Sequence, residues 1–303
     1  MSGGNALAAQ TALVLKGLAY PESPRWHEGR LWCSDLYAHR VISVREDGTE
    51  PRVELQVSGQ PSGMGWLSDG RLLVVSMRDR HVLRRELDGR LVIHADLSDR
   101  VAGDLNDMVV DSTGRAYVGS LGFDLAAGSP MESATIERVD PDGRVVSVAS
   151  GLWFPNGSAI TDDGVLLVCE TFANRVTAFD LAADGSLSNR QTWAEFGEMP
   201  TERRVGKVFG QLSIAADGCA LDAEGALWVA DAIGNRIVRV RAGGELVDEI
   251  RFETGVFACT LGGADGRTLF ICTAPDANPV ARADELAGSI VAVRVDVPRA
   301  GRP

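Results

Sequence analysis

The chain of 303 residues has no hydrophobic run approaching twenty residues, so its sequence offers no membrane-spanning helix. It has no basic excess either. A formal net charge of −12 without a basic stripe excludes nucleic acid and anionic membrane surfaces as natural partners, because neither attracts an acidic body. Cysteine is scarce, and the five present are an odd number that does not read as a disulfide framework. Cys33, Cys169 and Cys272 fall at corresponding places in three repeats and read as small buried apolar residues; Cys219 and Cys259 stand nearer the residues singled out below, where a reactive thiol is an open alternative. The stretch MSGGNALAAQTALVLKGLAY lacks the basic start and apolar region of a secretory leader, which makes the cytoplasm the expected location. Helical periodicity is missing throughout, and the class is therefore all-β.

What the chain does have is one phrase, six times over. A turn glycine (Gly29, Gly70, Gly114, Gly164, Gly225, Gly266) precedes a short alternating strand, reading RLWCSD, RLLVVSM, RAYVGSL, VLLVCET, ALWVADA and RTLFICT. Spacings of 41, 44, 50, 61 and 41 residues are those of propeller blades, and six phrases predict a six-bladed β-propeller of four-stranded antiparallel blades around a central channel. A propeller cannot be divided into independent halves, so residues 1–303 read as a single domain. The last unit ends in GSIVAVRVDV with no fourth strand after it, while TALVLKGLAY precedes the first unit with no blade of its own. The N-terminal strand is thus expected to be the outer strand of the last blade, leaving no open edge.

The turn glycines also locate a ring. Eight residues before the last five stand Ser62, Asn106, Asn156, Asp217 and Ala258, and seven before Gly29, whose turn is one residue shorter, stands Glu22. Four residues further on lie Trp26, Trp66, Val110, Ile160 and Leu221, as an inner strand descending into a core requires; the sixth, Gly262, breaks the pattern. Glu22, Asn106, Asn156 and Asp217 therefore offer four hard oxygen donors around one channel mouth. Two are carboxylates, which would hold a divalent cation with formal neutrality. The expected cofactor is one divalent metal ion, calcium ahead of magnesium, manganese or zinc, since the ring has no histidine or cysteine.

Adjacent side chains on an extended segment point opposite ways, so Asp107 is expected to turn away from the channel and Asp104 to cap a turn. Trp26, Trp66 and Trp228 read as core, and His39 and His81 as surface loop residues. Two connections, GFDLAAGSPMESA (122–134) and FGEMPTERRVGKVFGQLS (196–213), are the long ones of the repeat and read as walls or a lid over the ring.

ESPRW (22–26), LNDMVVDSTGRAYVGS (105–120), FPNGSAI (154–160) and DGCALDAEGALWVA (217–230) together resemble the family of senescence marker protein, gluconolactonase and luciferin-regenerating enzyme. The resemblance implies a six-bladed propeller with a divalent metal at the channel mouth and hydrolysis of lactones. By position it makes Glu22, Asn156 and Asp217 the metal ligands, and Asn106 the asparagine that approaches metal or substrate. Its sugar-lactonase members place a substrate-binding arginine where this chain has Asp104, and a polar grip where it has Phe123. With Trp153, Phe154 and Met77 nearby, the pocket expected here is less polar, suited to a lactone or ester less hydroxylated than gluconolactone.

A dication at the ring polarises a carbonyl and stabilises the oxyanion. Asp217 is the expected general base as well as a ligand; a metal bond keeps it a weak base, fit for an activated ester rather than an amide. Two other readings compete: phosphotriester hydrolysis on the same ring, as the related diisopropyl fluorophosphatase type performs, and a non-catalytic binding propeller with a structural calcium. The expected partner is a small-molecule lactone or ester, and the protein a monomer or small homo-oligomer.

Overall fold

Each of the six turn glycines adopts the left-handed conformation, with φ between 72° and 87°, which explains why glycine marks the tip of every first hairpin. From these tips the computed structural model, which describes residues 11–300, builds six antiparallel sheets of four strands each, a six-bladed propeller. Residues 1–10, half of the stretch read for a leader, lie outside the described residues. The inner strands are Pro21–His27, Pro61–Trp66, Leu105–Val110, Pro155–Ile160, Ala216–Leu221 and Gly255–Gly262. Each packs against the next, and that of blade six against that of blade one, so the ring is continuous. In blades one to five the four strands follow in chain order from the inner strand outward.

The second strands are apolar on both faces because they lie between neighbouring blades; Leu73 and Val74, Leu166 and Leu167, and Leu227 and Trp228 are all buried there. The seam forms as expected. Strand Ala12–Leu18 pairs antiparallel with Gly288–Arg294 and becomes the outer strand of blade six, burying Val14 and Leu18 among Leu31, Phe270 and Ile290. Among the described residues no helix is long and apolar enough to cross a membrane.

The reading of two long connections needs a third. Between the second and third strands of blade six, residues 275–287 carry a helix, Pro279–Glu285, capped by Asn278, whose side chain accepts the Val280 and Ala281 amides. Asn-Pro at a helix start was the local signal for it. The tryptophans divide as well: Trp228 is buried in the core, whereas Trp26 and Trp66 are only half-buried at the far end of the channel, where the His27 ring stacks on Trp66 at 3.8 Å.

Candidate metal centre at the channel mouth

All six inner strands carry the same irregularity where they begin. In blade five Ala216 pairs with Asp231, but the next pair is Cys219 with Val229, three residues against two; Leu105, Pro155 and Pro61 open their ladders the same way. This β-bulge re-aims the side chains it contains and brings neighbouring backbones close together. Gly157 and Gly218 sit in it for that reason: a Cβ on Gly157 would lie 2.6 Å from the Asp217 carbonyl oxygen, and one on Gly218 2.5 Å from the Ala258 Cβ.

The residue that opens each bulge is Glu22, Ser62, Asn106, Asn156 or Asp217 in blades one to five, as the count from the turn glycines indicated. Blade six corrects that count. Gly255 pairs with Ala274 and Ala258 with Cys272, so Val256, not Ala258, holds the equivalent place. The inner strand there has eight residues against six in its neighbours, and the two extra lie toward the turn. The ring is thus oxygen-bearing on five sides and apolar on the sixth.

Four of these groups are suited to a hard cation. Asn156 donates through Nδ2 to Thr171 Oγ1 (3.1 Å), which itself donates to the Ala216 carbonyl (2.9 Å), an arrangement that leaves the Asn156 carbonyl oxygen available to a cation. Asn106 Nδ2 is buried without a hydrogen-bond partner among the described residues. Among the described residues Glu22 accepts only the Ser23 amide, at 3.0 Å. It keeps a partly exposed edge at the mouth, yet protein surrounds its carboxylate closely enough that burial pushes its pKa up to about 8. Burial, then the charge of Glu22, pushes Asp217 well above the usual carboxylate range. Two buried carboxylates, one raised by the charge of the other and both by that of Asp107, are what a divalent ion would neutralise. Among the described residues no three His, Cys, Asp or Glu side chains converge, so amide oxygens must make up the donor set, which fits calcium better than zinc.

A pH dependence follows. A carboxylate whose folded pKa is raised contributes stability below its unfolded pKa and loses it as pH climbs through the folded value. For Glu22 that window runs from the ordinary carboxylate range up to about 8. Chelator-treated protein is therefore expected to lose melting temperature steadily between about pH 5 and pH 8, and excess calcium to restore more at the upper end than at the lower. Parallel pH profiles with and without calcium would contradict the assignment.

Beneath the ring lies a pair that sequence reasoning missed. Arg25, from the inner strand of blade one, crosses blade two, donates to the Met64 carbonyl (3.1 Å), and reaches Asp107 Oδ1 (2.5 Å) and the Met108 carbonyl (2.8 Å) in blade three. Both side chains are buried, at 4% and 7% exposure. Asp107 consequently does not turn away from the channel: the bulge between Leu105 and Met108 interrupts the alternation on which that expectation rested.

The walls of the mouth are aromatic. Tyr20, two residues before Glu22, packs on Tyr37 and Phe257 at 5.0 and 4.9 Å between ring centroids. Burial, followed by the nearby charges of Glu22 and Asp217, drives its hydroxyl well above its ordinary pKa, so it is a neutral donor beside the ring. On the other side Phe154 packs at a tilt against Phe172 (5.1 Å), and Phe172 edge to face against Phe209 (5.8 Å). Phe154 holds φ at 55°, an uncommon conformation for an aromatic residue, two positions before Asn156. Phe123 is buried with Met131, Phe172 and Val208, while Trp153 is half-buried beneath the Arg203 guanidinium at 4.2 Å. Met77 belongs to a different cluster with Tyr20 and Leu105, and its carbonyl accepts the Leu105 amide next to Asn106. Asp104 remains partly exposed, its pKa raised by burial and lowered in part by Arg78.

The two long connections meet: Met131 donates its amide to the Arg203 carbonyl at 2.8 Å, and Asn174 ties the second one down through the Glu198 and Gln211 carbonyls, both at 2.9 Å. The cysteines are all buried and free. Burial pushes the Cys259 thiol well up, which removes the reactive-thiol alternative at that position.

The chain resembles proteins of known name along most of its length. The chain is 28% identical over 293 residues to a pentonolactonase of Haloferax volcanii (93% of this chain, 92% of the relative). It is 27% identical over 302 residues to a 6-deoxy-6-sulfogluconolactonase of Pseudomonas putida, covering 93% of each. The fold superposes on a luciferin-regenerating enzyme with a TM-score of 0.78, 19% identity, and coverage of 97% and 98% of the two chains. A model of the SMP-30/gluconolactonase/LRE-like region matches residues 20–275, from Tyr20 at the mouth to the end of blade six's second strand. With six blades, a channel-mouth ring and that match across most of its length, the chain belongs to the SMP-30/gluconolactonase/LRE-like family.

Proposed function

We propose that the protein is a divalent-metal-dependent hydrolase of a lactone or related ester, calcium being the favoured ion, held by Glu22, Asn156 and Asp217 with Asn106 as a fourth donor. The observation that carries this reading is the pairing of two carboxylates, both raised by burial, with two amide oxygens at the opening positions of four inner-strand bulges. The names of the two lactonase relatives, each aligned over nearly the whole chain, support the reaction class. When bound, the ion supplies polarisation of the ester carbonyl and stabilisation of the charge that develops on its oxygen. Asp217 accepts the proton of the attacking water, a weak base when it also binds the ion and therefore suited to an activated ester. Asn106, whose Nδ2 has no hydrogen-bond partner among the described residues, offers its amide to the lactone oxygens as charge grows there. Tyr20 offers a second neutral donor at the same mouth.

Specificity follows from the walls. Trp153 and Phe154 precede Asn156 in the chain and pack against the cluster that holds Phe123, Met77 packs with Tyr20 and Leu105, and Asp104 stands where a guanidinium would grip sugar hydroxyls. Aromatic faces gain from apolar burial and leave a row of hydroxyls without partners. The expected result is a higher kcat/KM for a lactone with an alkyl or aryl portion than for gluconolactone, with activity abolished by chelation and restored by calcium. An assay across lactones, aryl esters and phosphotriesters tests this. Gluconolactone leading every apolar lactone would overturn the polarity reading, and undiminished turnover in excess chelator would overturn the metal.

A further inference from the structure

The second strand of each blade ends beside the segment that leads into that blade's inner strand. In three blades it ends on a buried carboxylate. Asp35, Glu170 and Asp231 each have 0% exposure, and each faces the first residue of its inner strand, in the pairs Pro21–Asp35, Pro155–Glu170 and Ala216–Asp231.

Each carboxylate accepts backbone N–H groups of the lead-in segment: Ala19 and Tyr20 donate to Asp35 (2.8 and 3.0 Å), Trp153 to Glu170 (2.7 Å) and Ala215 to Asp231 (3.1 Å). The other oxygen of each accepts the Nε–H of an arginine five positions on, Arg40 at 2.9 Å, Arg175 at 2.8 Å and Arg236 at 2.8 Å. The same position in the remaining blades is Ser76, Ser120 or Ala274, none of which can act as a charged clamp. The three clamped blades carry Glu22, Asn156 and Asp217; the unclamped ones carry Ser62, Asn106 and Val256.

We infer that Asp35, Glu170 and Asp231 are positioning residues that fix the three metal ligands, and that Asn106, lacking a clamp, is the donor free to follow the substrate. A device serving only the fold would be expected in every blade, since all six lead-in segments enter the same kind of sheet. A charged acceptor tethered by a guanidinium fork holds the backbone within the few tenths of an ångström that metal coordination demands, two or three residues before the ligand. Removing such support around a metal site costs 10–100-fold in affinity in general.

The inference rests on the metal reading above, and calcium chloride titrated calorimetrically into the chelator-treated protein separates the two. If the wild-type protein takes up no calcium, or manganese in its place, the metal reading fails. If it does, Asp231→Asn and Glu170→Gln are each expected to weaken binding by about 10-fold or more. The matched control is Asp222→Asn. Asp222 is equally buried and ion-paired, to Arg239 Nε at 2.7 Å, but stands at the far end of the blade-five hairpin. It is expected to lower the melting temperature comparably while leaving calcium affinity at the wild-type value. Unchanged affinity in both clamp variants, or an equal loss in Asp222→Asn, overturns the inference. If the carboxylate variants do not fold, Arg236→Lys keeps the charge and removes the fork; a smaller loss in the same direction is then expected, and wild-type affinity refutes the proposal.

Discussion

Asp217→Asn is expected to reduce kcat/KM on the preferred lactone by about three orders of magnitude, the combined loss of a general base and of a charged ligand. The substitution keeps the volume and the two-pronged shape of the side chain, so the bulge at 216–219 and the Gly218 approach to Ala258 have no steric reason to change. Because burial and the charge of Glu22 make an ionised Asp217 costly to the metal-free fold, the metal-free variant should melt at or above the wild-type temperature even as calcium binding collapses. A variant that gains stability while losing both metal and activity is the signature of a functional charge held at a cost to the fold. Retention of calcium affinity in both Asp217→Asn and Glu22→Gln would remove the ring as the metal site.

Arg25→Met is expected to do the reverse, with its main effect on stability. Arg25 is a guanidinium in contact with Asp107 in the channel wall, and Glu22 and Asp217 both feel the Asp107 charge. Methionine fills much of the same space but leaves Asp107 buried and unpaired beside two further carboxylates. Breaking a buried pair from one side typically costs about 3–5 kcal/mol, which for a domain of this size lowers the melting temperature by about 10 °C. The double variant Arg25→Met/Asp107→Asn should recover part of that loss, since it removes the stranded charge along with its partner. A single variant within about 1 kcal/mol of wild type by denaturant titration would mean that water replaces the guanidinium at no cost, contrary to its 4% exposure.

Much of this was legible in the residues. The turn glycines repeat because each hairpin tip needs a left-handed residue, and that backbone requirement appears directly in the sequence. Counting from them found Glu22, Asn106, Asn156 and Asp217, because strands of equal length put equivalent residues at equal distances. The same ruler failed at Ala258, where the inner strand of blade six is longer, and Gly262 in the place of an apolar residue was the warning. Asp107 was misread because alternation holds only for a regular ladder, and a bulge leaves no mark in composition. Arg25 stands inside ESPRW, yet nothing local says that its side chain spans two strands to reach blade three. The clamps were visible as an acidic residue followed five places later by arginine at Asp35, Glu170 and Asp231. Their meaning depended on knowing which backbone amides the ladder leaves unpaired.

The seam in blade six bears on how the molecule comes into being. Ala12–Leu18 pairs with Gly288–Arg294, so the outermost strand of that sheet leaves the ribosome before the other three and finds its partner only after the five intervening blades have been made. At about 5–20 residues per second the wait is roughly 15 to 55 s. During that interval blades one to five can assemble on local hairpins, but the last sheet lacks an edge strand and the ring is open between its ends. Pairing across so long a stretch of chain is slow even after synthesis ends. Glu22 follows directly on this late strand, in the blade that meets blade six when the ring shuts. A metal centre containing it would be among the last parts of the protein to exist, and a nascent chain stalled short of residue 288 would carry Asp217 and Asn156 without a closed ring to hold them.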